Sequence, residues 1–167
     1  CLITFHSETQ SKENVAEVMD EIIGKVLQRN KQVLITYPNN DPGYKQILEV
    51  IEKWKLENNV FVREHLGAIG YYAALRDCIL VIGNSSSGIV EAPYFNKKVI
   101  NIGTRQEGRE ADESIISVPC DTSLVLNLLE ENLLKDRTKV PYSNIYGDGN
   151  ALAKIRQIII EHILPQI

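Results

Sequence analysis

The feature that most constrains this chain is a repeated switch between two apolar periods. Short runs of Val, Ile and Leu, each of strand length, alternate with longer segments whose apolar residues recur every three or four positions. That alternation is the signature of successive βα units. Residues 2–5, 33–37, 60–63, 78–82, 98–102 and 115–118 read as strands. Between them, residues 12–30 place Val15, Val18, Ile22, Ile23, Val26 and Leu27 on one helical stripe, and residues 44–55 do the same with Ile47, Val50, Ile51 and Trp54. Residues 69–75 and 89–94 predict shorter helices, and helices over 122–134 and 150–163 finish the chain. Strands that are apolar nearly throughout have no face to give to water. The sheet they form is therefore parallel and covered on both sides, a doubly wound α/β architecture.

At 167 residues the chain is sized for one domain with its own core. Eighteen basic residues are mixed with twenty-two acidic ones, for a net charge of −4, which argues against a nucleic-acid partner or a polybasic membrane patch. No apolar run approaches the roughly 18–20 residues of a membrane span, and no signal peptide is visible. The three cysteines, Cys1, Cys78 and Cys120, have neither zinc nor disulfide spacing. Cys78 and Cys120 read as buried free thiols in a reducing compartment, so a cytoplasmic protein is expected. The chain begins directly on its first strand, as expected of a domain preceded by another.

Ligands of open α/β sheets bind beyond the carboxyl ends of the strands. Five such loops carry polar residues here: His6-Ser7-Glu8-Thr9, Pro38-Asn39-Asn40-Asp41, Glu64-His65-Leu66, Gly83-Asn84-Ser85-Ser86-Ser87-Gly88, and the stretch from Gly103 to Glu110. Two of the three histidines, a serine cluster, Arg105 and Arg109 thus share one edge. The fourth loop leads from a strand into a helix, where free amides and hydroxyls suit an anion. It has neither GxGxxG nor the Walker lysine, and it reads equally as a serine N-cap. Glu91 follows one turn later. It either complements the helix dipole, completes a cap with Gly88, or accepts the two hydroxyls of a ribose. Arg105 and Arg109 either grip phosphate or pair with Glu107 and Glu110 at the surface. His6 ends a buried strand at the ligand edge, as a structural hydrogen-bonder or a catalyst. His162 lies on the last helix, away from the loops.

The strings Gly83-Asn-Ser-Ser-Ser-Gly-Ile-Val-Glu-Ala-Pro93, Val99-Ile-Asn-Ile-Gly-Thr-Arg-Gln106 and Ile145-Tyr-Gly-Asp-Gly-Asn150 resemble the UDP-N-acetylglucosamine 2-epimerases. The closer likeness is to the hydrolysing branch of sialic and legionaminic acid biosynthesis. The resemblance runs over all 167 residues. It implies that residues 1–167 are the Rossmann-like, UDP-binding C-terminal half of a glycosyltransferase-B-type enzyme whose N-terminal half is absent. By position it makes Ser85 and Ser86 diphosphate ligands, Glu91 the ribose ligand and Arg105 a nucleotide-site arginine. His65 and Leu66 become the stretch whose backbone meets uracil, Asn39 a substrate-binding asparagine, and His6 the catalytic-site histidine. That histidine is followed here by Ser7-Glu8-Thr9-Gln10, unlike the Arg-Arg-Glu-Asn of the non-hydrolysing branch or the proline frequent in the hydrolysing one.

The implied reaction eliminates UDP across C1–C2 of the sugar, then adds water to give N-acetylmannosamine. The implied partners are UDP and UDP-N-acetylglucosamine or a related UDP-sugar, in a homo-oligomeric full-length enzyme. No metal and no cofactor are implied. The general acid/base carboxylates belong to the other half, so this chain alone is expected to be inactive. The competing readings are the nucleotide-sugar domain of a glycosyltransferase and a stand-alone UDP-binding module.

Overall fold

The computed structural model describes residues 1–8, 14–134 and 145–163. Six strands form one sheet: β1 (Leu2–Thr4), β2 (Val33–Thr36), β3 (Val60–Arg63), β4 (Val81–Gly83), β5 (Val99–Ile102) and β6 (Ile115–Val118). Their spatial order is β3-β2-β1-β4-β5-β6 and every neighbouring pair is parallel. The doubly wound reading of the apolar runs is thus correct, and the five polar loops all follow the carboxyl ends of parallel strands on one edge, the fifth running from β5 to β6 without a helix. Helices α1 (Val15–Gln28), α2 (Tyr44–Trp54), α3 (Gly67–Asp77), α4 (Ser86–Val90), α5 (Thr122–Leu134) and α6 (Ala151–Ile158) connect or follow them.

Consecutive residues of a strand face opposite sides of a sheet, and the two cores divide accordingly. Ile3, Ile35, Ile82 and Ile100 pack with α1, α2 and α5 on one face. Leu2, Val81 and Val99 pack with Leu75 of α3 and Ala92 on the other. Each fully buried isoleucine or leucine contributes about 1.5–3 kcal/mol relative to exposure.

Helix α1 starts where the Asn14 side chain accepts the Ala16 N–H, a polar N-cap that satisfies one orphan donor. Its expected first residues, 12 and 13, lie outside the described residues. The inward stripe is Val15, Val18, Met19, Ile22, Ile23 and Val26. It packs against α2, where Asp20 accepts from the Trp54 indole at 2.6 Å.

Several boundaries differ from the sequence reading. The fourth strand is Val81–Gly83 rather than 78–82, because Cys78 serves as the C-cap of α3, its N–H donating to the Ala74 carbonyl. That place also leaves Cys78 half-buried, whereas Cys120 is buried as expected. Burial pushes the Cys78 thiol up. Helix α3 extends two residues beyond each expected end. Helix α4 begins at Ser86, not 89, and Pro93, which lacks an N–H, makes the following residues a 3₁₀ turn, Ala92–Phe95. The last helix is found where the periodicity put it, α6 passing into a π-helical turn, Ile159–Ile163. Among the described residues, no helix is long and apolar enough to cross a membrane.

Candidate functional site

Strand order reverses between β1 and β4: the chain winds outward from β1 to β3, then returns to β4 and winds the other way. A crevice at such a switch point is where open α/β sheets bind ligands. The loops leaving β1 and β4 carry His6 and Asn84-Ser85-Ser86.

Gly83 lets these loops meet. Its φ is +136°, and a Cβ there would lie 1.9 Å from the Thr4 carbonyl oxygen, so no side chain fits. Asn84, the next residue, is fully buried. Its Oδ1 accepts the His6 N–H at 2.7 Å, and its Nδ2 donates to the His6 carbonyl at 2.8 Å and to Glu8 Oε1 at 3.1 Å. Its carbonyl oxygen accepts from Arg105 Nη1 at 3.1 Å and from Gln106 Nε2 at 2.8 Å.

His6 is buried, and its Nδ1 accepts the Asn39 main-chain N–H at 3.1 Å. Burial first, then the Arg105 charge, push its pKa down to about 4, with Asp41 opposing. The ring is therefore neutral near pH 7. Since Nδ1 is accepting, the ring proton sits on Nε2. Asn39 is exposed and meets His6 through its main chain.

Ser85 is the N-cap of α4: its Oγ accepts the Ser87 N–H and pairs with Ser87 Oγ at 3.1 Å. The Ser87 hydroxyl also bonds the Tyr71 hydroxyl, so Ser85 is both the cap and part of a hydroxyl chain. Ser86 is exposed at the first position of α4. With only five residues, α4 offers the field of little more than one turn, so hydroxyls and Arg105 weigh more here than a macrodipole.

Glu91 is the C-cap of α4. It lies at the wrong end to complement the α4 dipole, and the α4 cap belongs to Ser85; it also precedes the 3₁₀ turn, without a side-chain cap bond. It is half-buried, burial pushes its carboxyl pKa up, and it lines a cavity of about 520 Å³ with Tyr72, Tyr94, Phe95 and Tyr146. Leu66 is the N-cap position of α3, without a side-chain cap bond, and Gly67 follows with φ of +62°. His65 and Leu66 share the loop edge but lie beyond β3, two strands from β1. The hydrogen bonds around His6 do not reach them among the described residues.

Arg105 is half-buried, and among the described residues no carboxylate lies within ion-pair distance of its guanidinium. Arg109 sits exposed in the turn beyond, its N–H donating to the Gln106 carbonyl. The structure thus gathers His6, Asn39, Ser85 and Arg105, and leaves Arg109 outside. Three participants carried no assigned role in the sequence reading: Asn84, Gln106 and Glu8. The Glu8 carboxylate accepts from the Thr104 and Arg105 main-chain amides at 3.4 Å each. Thr9 and Gln10, which follow, lie outside the described residues.

Comparisons with known proteins bear on the family and the fold. The family model described as UDP-N-acetylglucosamine 2-epimerase matches residues 1–160. The UDP-N,N'-diacetylbacillosamine 2-epimerase (hydrolyzing) of Legionella pneumophila is 33% identical over 95% of this chain and 42% of its own length. Among solved structures, a co-structure of S. aureus MnaA with UDP superposes with a TM-score of 0.77 at 19% identity, over 99% of this chain and 45% of that one. The UDP-GlcNAc 2-epimerase of Neisseria meningitidis bound to UDP-GlcNAc gives 0.72 at 15% identity, over 96% and 45%. This chain therefore spans less than half the length of the relatives it matches. The likeness to the solved structures shows the fold, and the family match over nearly the whole sequence shows that the chain belongs to the UDP-N-acetylglucosamine 2-epimerases.

Proposed function

We propose that this chain is the UDP-holding C-terminal half of a hydrolysing UDP-N-acetylglucosamine 2-epimerase. The observation that carries the reading is the convergence of a neutral, buried His6, an Arg105 guanidinium without a carboxylate partner among the described residues and the Ser85 hydroxyl chain at the sheet's switch point. Guanidinium and hydroxyl groups suit phosphate oxygens, and Glu91, beside its aromatic cavity, suits the ribose hydroxyls. The Legionella relative's description as a hydrolysing epimerase supports that branch. The sugar is N-acetylglucosamine or a diacetamido analogue.

In the reaction, a base removes the proton from C2, the C1–O bond breaks with its electrons leaving on UDP, and a C1=C2 double bond forms. Water then adds across that bond, oxygen to C1 and hydrogen to C2 on the opposite face, giving N-acetylmannosamine. Arg105 and the serines stabilise the departing diphosphate. His6, with its proton on Nε2, donates a hydrogen bond to the same anion. The carboxylates that move the sugar protons come from the other half.

Incubating the whole protein with UDP-N-acetylglucosamine and no acceptor tests the reading. Release of UDP with N-acetylmannosamine is expected. Release only when a sugar acceptor is added would make this a glycosyltransferase domain instead.

A further inference from the structure

We infer that Asn84 is a positioning residue for the diphosphate end of the site: its side-chain amide fixes where His6 stands and its carbonyl fixes where Arg105 stands, so that both face one ligand. The inference rests on the nucleotide-binding reading for its ligand and on hydrogen bonds for its geometry.

The orientation of the amide is determined by its partners. A main-chain N–H only donates and a carbonyl only accepts, so Oδ1 must face the His6 nitrogen and Nδ2 the His6 oxygen. The pair of bonds imitates one more rung of the parallel ladder. β1 and β4 stop pairing at Thr4 and Gly83, the Asn84 N–H still reaches the Thr4 carbonyl at 3.2 Å, and beyond it the side chain takes over. The second Nδ2 proton goes to Glu8, which in turn holds the Thr104 and Arg105 amides. Both lone pairs of the Asn84 carbonyl are used, one by Arg105 and one by Gln106. Arg105 is thus held at its backbone through Glu8 and at its guanidinium by Asn84 directly.

The residue type follows. Aspartate would set oxygen against the His6 carbonyl and against the Glu8 carboxylate. Glutamine is one methylene too long for a site with no exposed surface, and serine offers one polar atom where two are needed. Asn84 touches no reacting atom in this scheme; it acts through His6 and Arg105.

The test uses the full 167-residue chain, unmodified and as Asn84→Ala and Asn84→Asp. Calorimetric titrations with UDP and with uridine separate the diphosphate end from the nucleoside end, and ¹⁵N spectra of the His6 ring report its tautomer. Both variants are expected to bind UDP at least tenfold more weakly and uridine within twofold of the unmodified chain, and to lose the Nε2–H signature of His6. Adding Glu8→Gln to Asn84→Asp returns a donor to the pair and restores part of the UDP affinity. Equal losses for UDP and uridine in folded variants, or no loss, overturn the inference. If the variants do not fold, hydrogen exchange of the Asn84 side-chain amide in the unmodified chain decides: slow exchange is required, and free-amide rates overturn it. A chain that binds no UDP at all sinks the nucleotide reading, while the His6 spectra still judge Asn84.

Discussion

The main-chain amide of Asn39 donates to Nδ1 of His6 across 3.1 Å, joining the loops after β2 and β1. That bond requires a lone pair on Nδ1, and so leaves the ring proton on Nε2. Because burial and Arg105 hold the pKa at about 4, the imidazole offers an anion a neutral donor rather than a charge.

The same shift makes His6 an acid sensor for the fold. In the unfolded chain its pKa returns to the ordinary 6.5, so between pH 6.5 and 4 the unfolded state binds a proton that the folded state does not. Stability therefore falls as pH drops through that window, by up to about 3 kcal/mol from this group. Urea unfolding at pH 7 and pH 4.5 is expected to show a smaller acid loss for His6→Gln than for the unmodified chain. Equal losses would remove His6 from the acid response.

In the whole enzyme, His6→Ala is expected to lower turnover about 100-fold or more while changing UDP affinity only a few-fold. Steady-state kinetics beside UDP titration separate the two quantities. Turnover within a few-fold of the unmodified enzyme would reduce His6 to a strand-end histidine.

Glu91→Gln keeps the shape at the end of α4 and removes the charge. Loss of a charged acceptor for two hydroxyls is expected to weaken UDP binding by about 1.5–3 kcal/mol. Circular dichroism should be unchanged, since Glu91 is only half-buried and its burial opposes its own ionisation. Unchanged UDP affinity by calorimetry would take the ribose role from it.

Gly83→Ala is expected to be among the most damaging single changes. It forces an L-residue to a φ of +136° and drives a methyl into the Thr4 carbonyl, so strain and displacement together should cost more than about 3 kcal/mol. Chemical denaturation measures it directly. A variant as stable as the parent would mean that β1 and β4 can separate without penalty.

The sheet and its helices were legible because burial leaves a periodic trace: Ile22, Ile23 and Val26 advertise α1, and Val33 and Ile35 advertise β2. Hydrophobicity marks what is buried, however, not what pairs, so 78–82 looked like a strand although Cys78 closes α3. The start of α4 was hidden because Ser85 and Ser86 read as loop until the cap bond to Ser87 is seen. Of the site, the loops at the strand ends were legible from topology alone, and the family resemblance distributed roles among them. Asn84 and Glu8 were not. Asn84 bonds a partner 78 residues away and the Glu8 bonds to Thr104 and Arg105 span 96 and 97 residues. A side chain serving a distant backbone leaves no local pattern.

The β1–β4 contact joins the first strand of the chain to residues about eighty positions later, with Leu2 opposite Val81. The β1–β3 half and the β4–β6 half are thus each built from consecutive elements, and within the sheet this seam unites them, with α1 packed on α5 beside it. Every bond between His6 and Asn84 lies at the end of that seam. If the halves part, even with each internally intact, the site ceases to exist. A ligand gripping residues from both sides acts as a rivet: at a hundred times its dissociation constant it adds about 2.7 kcal/mol against parting. Slowed amide exchange should then spread along β1 and β4 down to Leu2 and Val81, far from any atom the ligand touches.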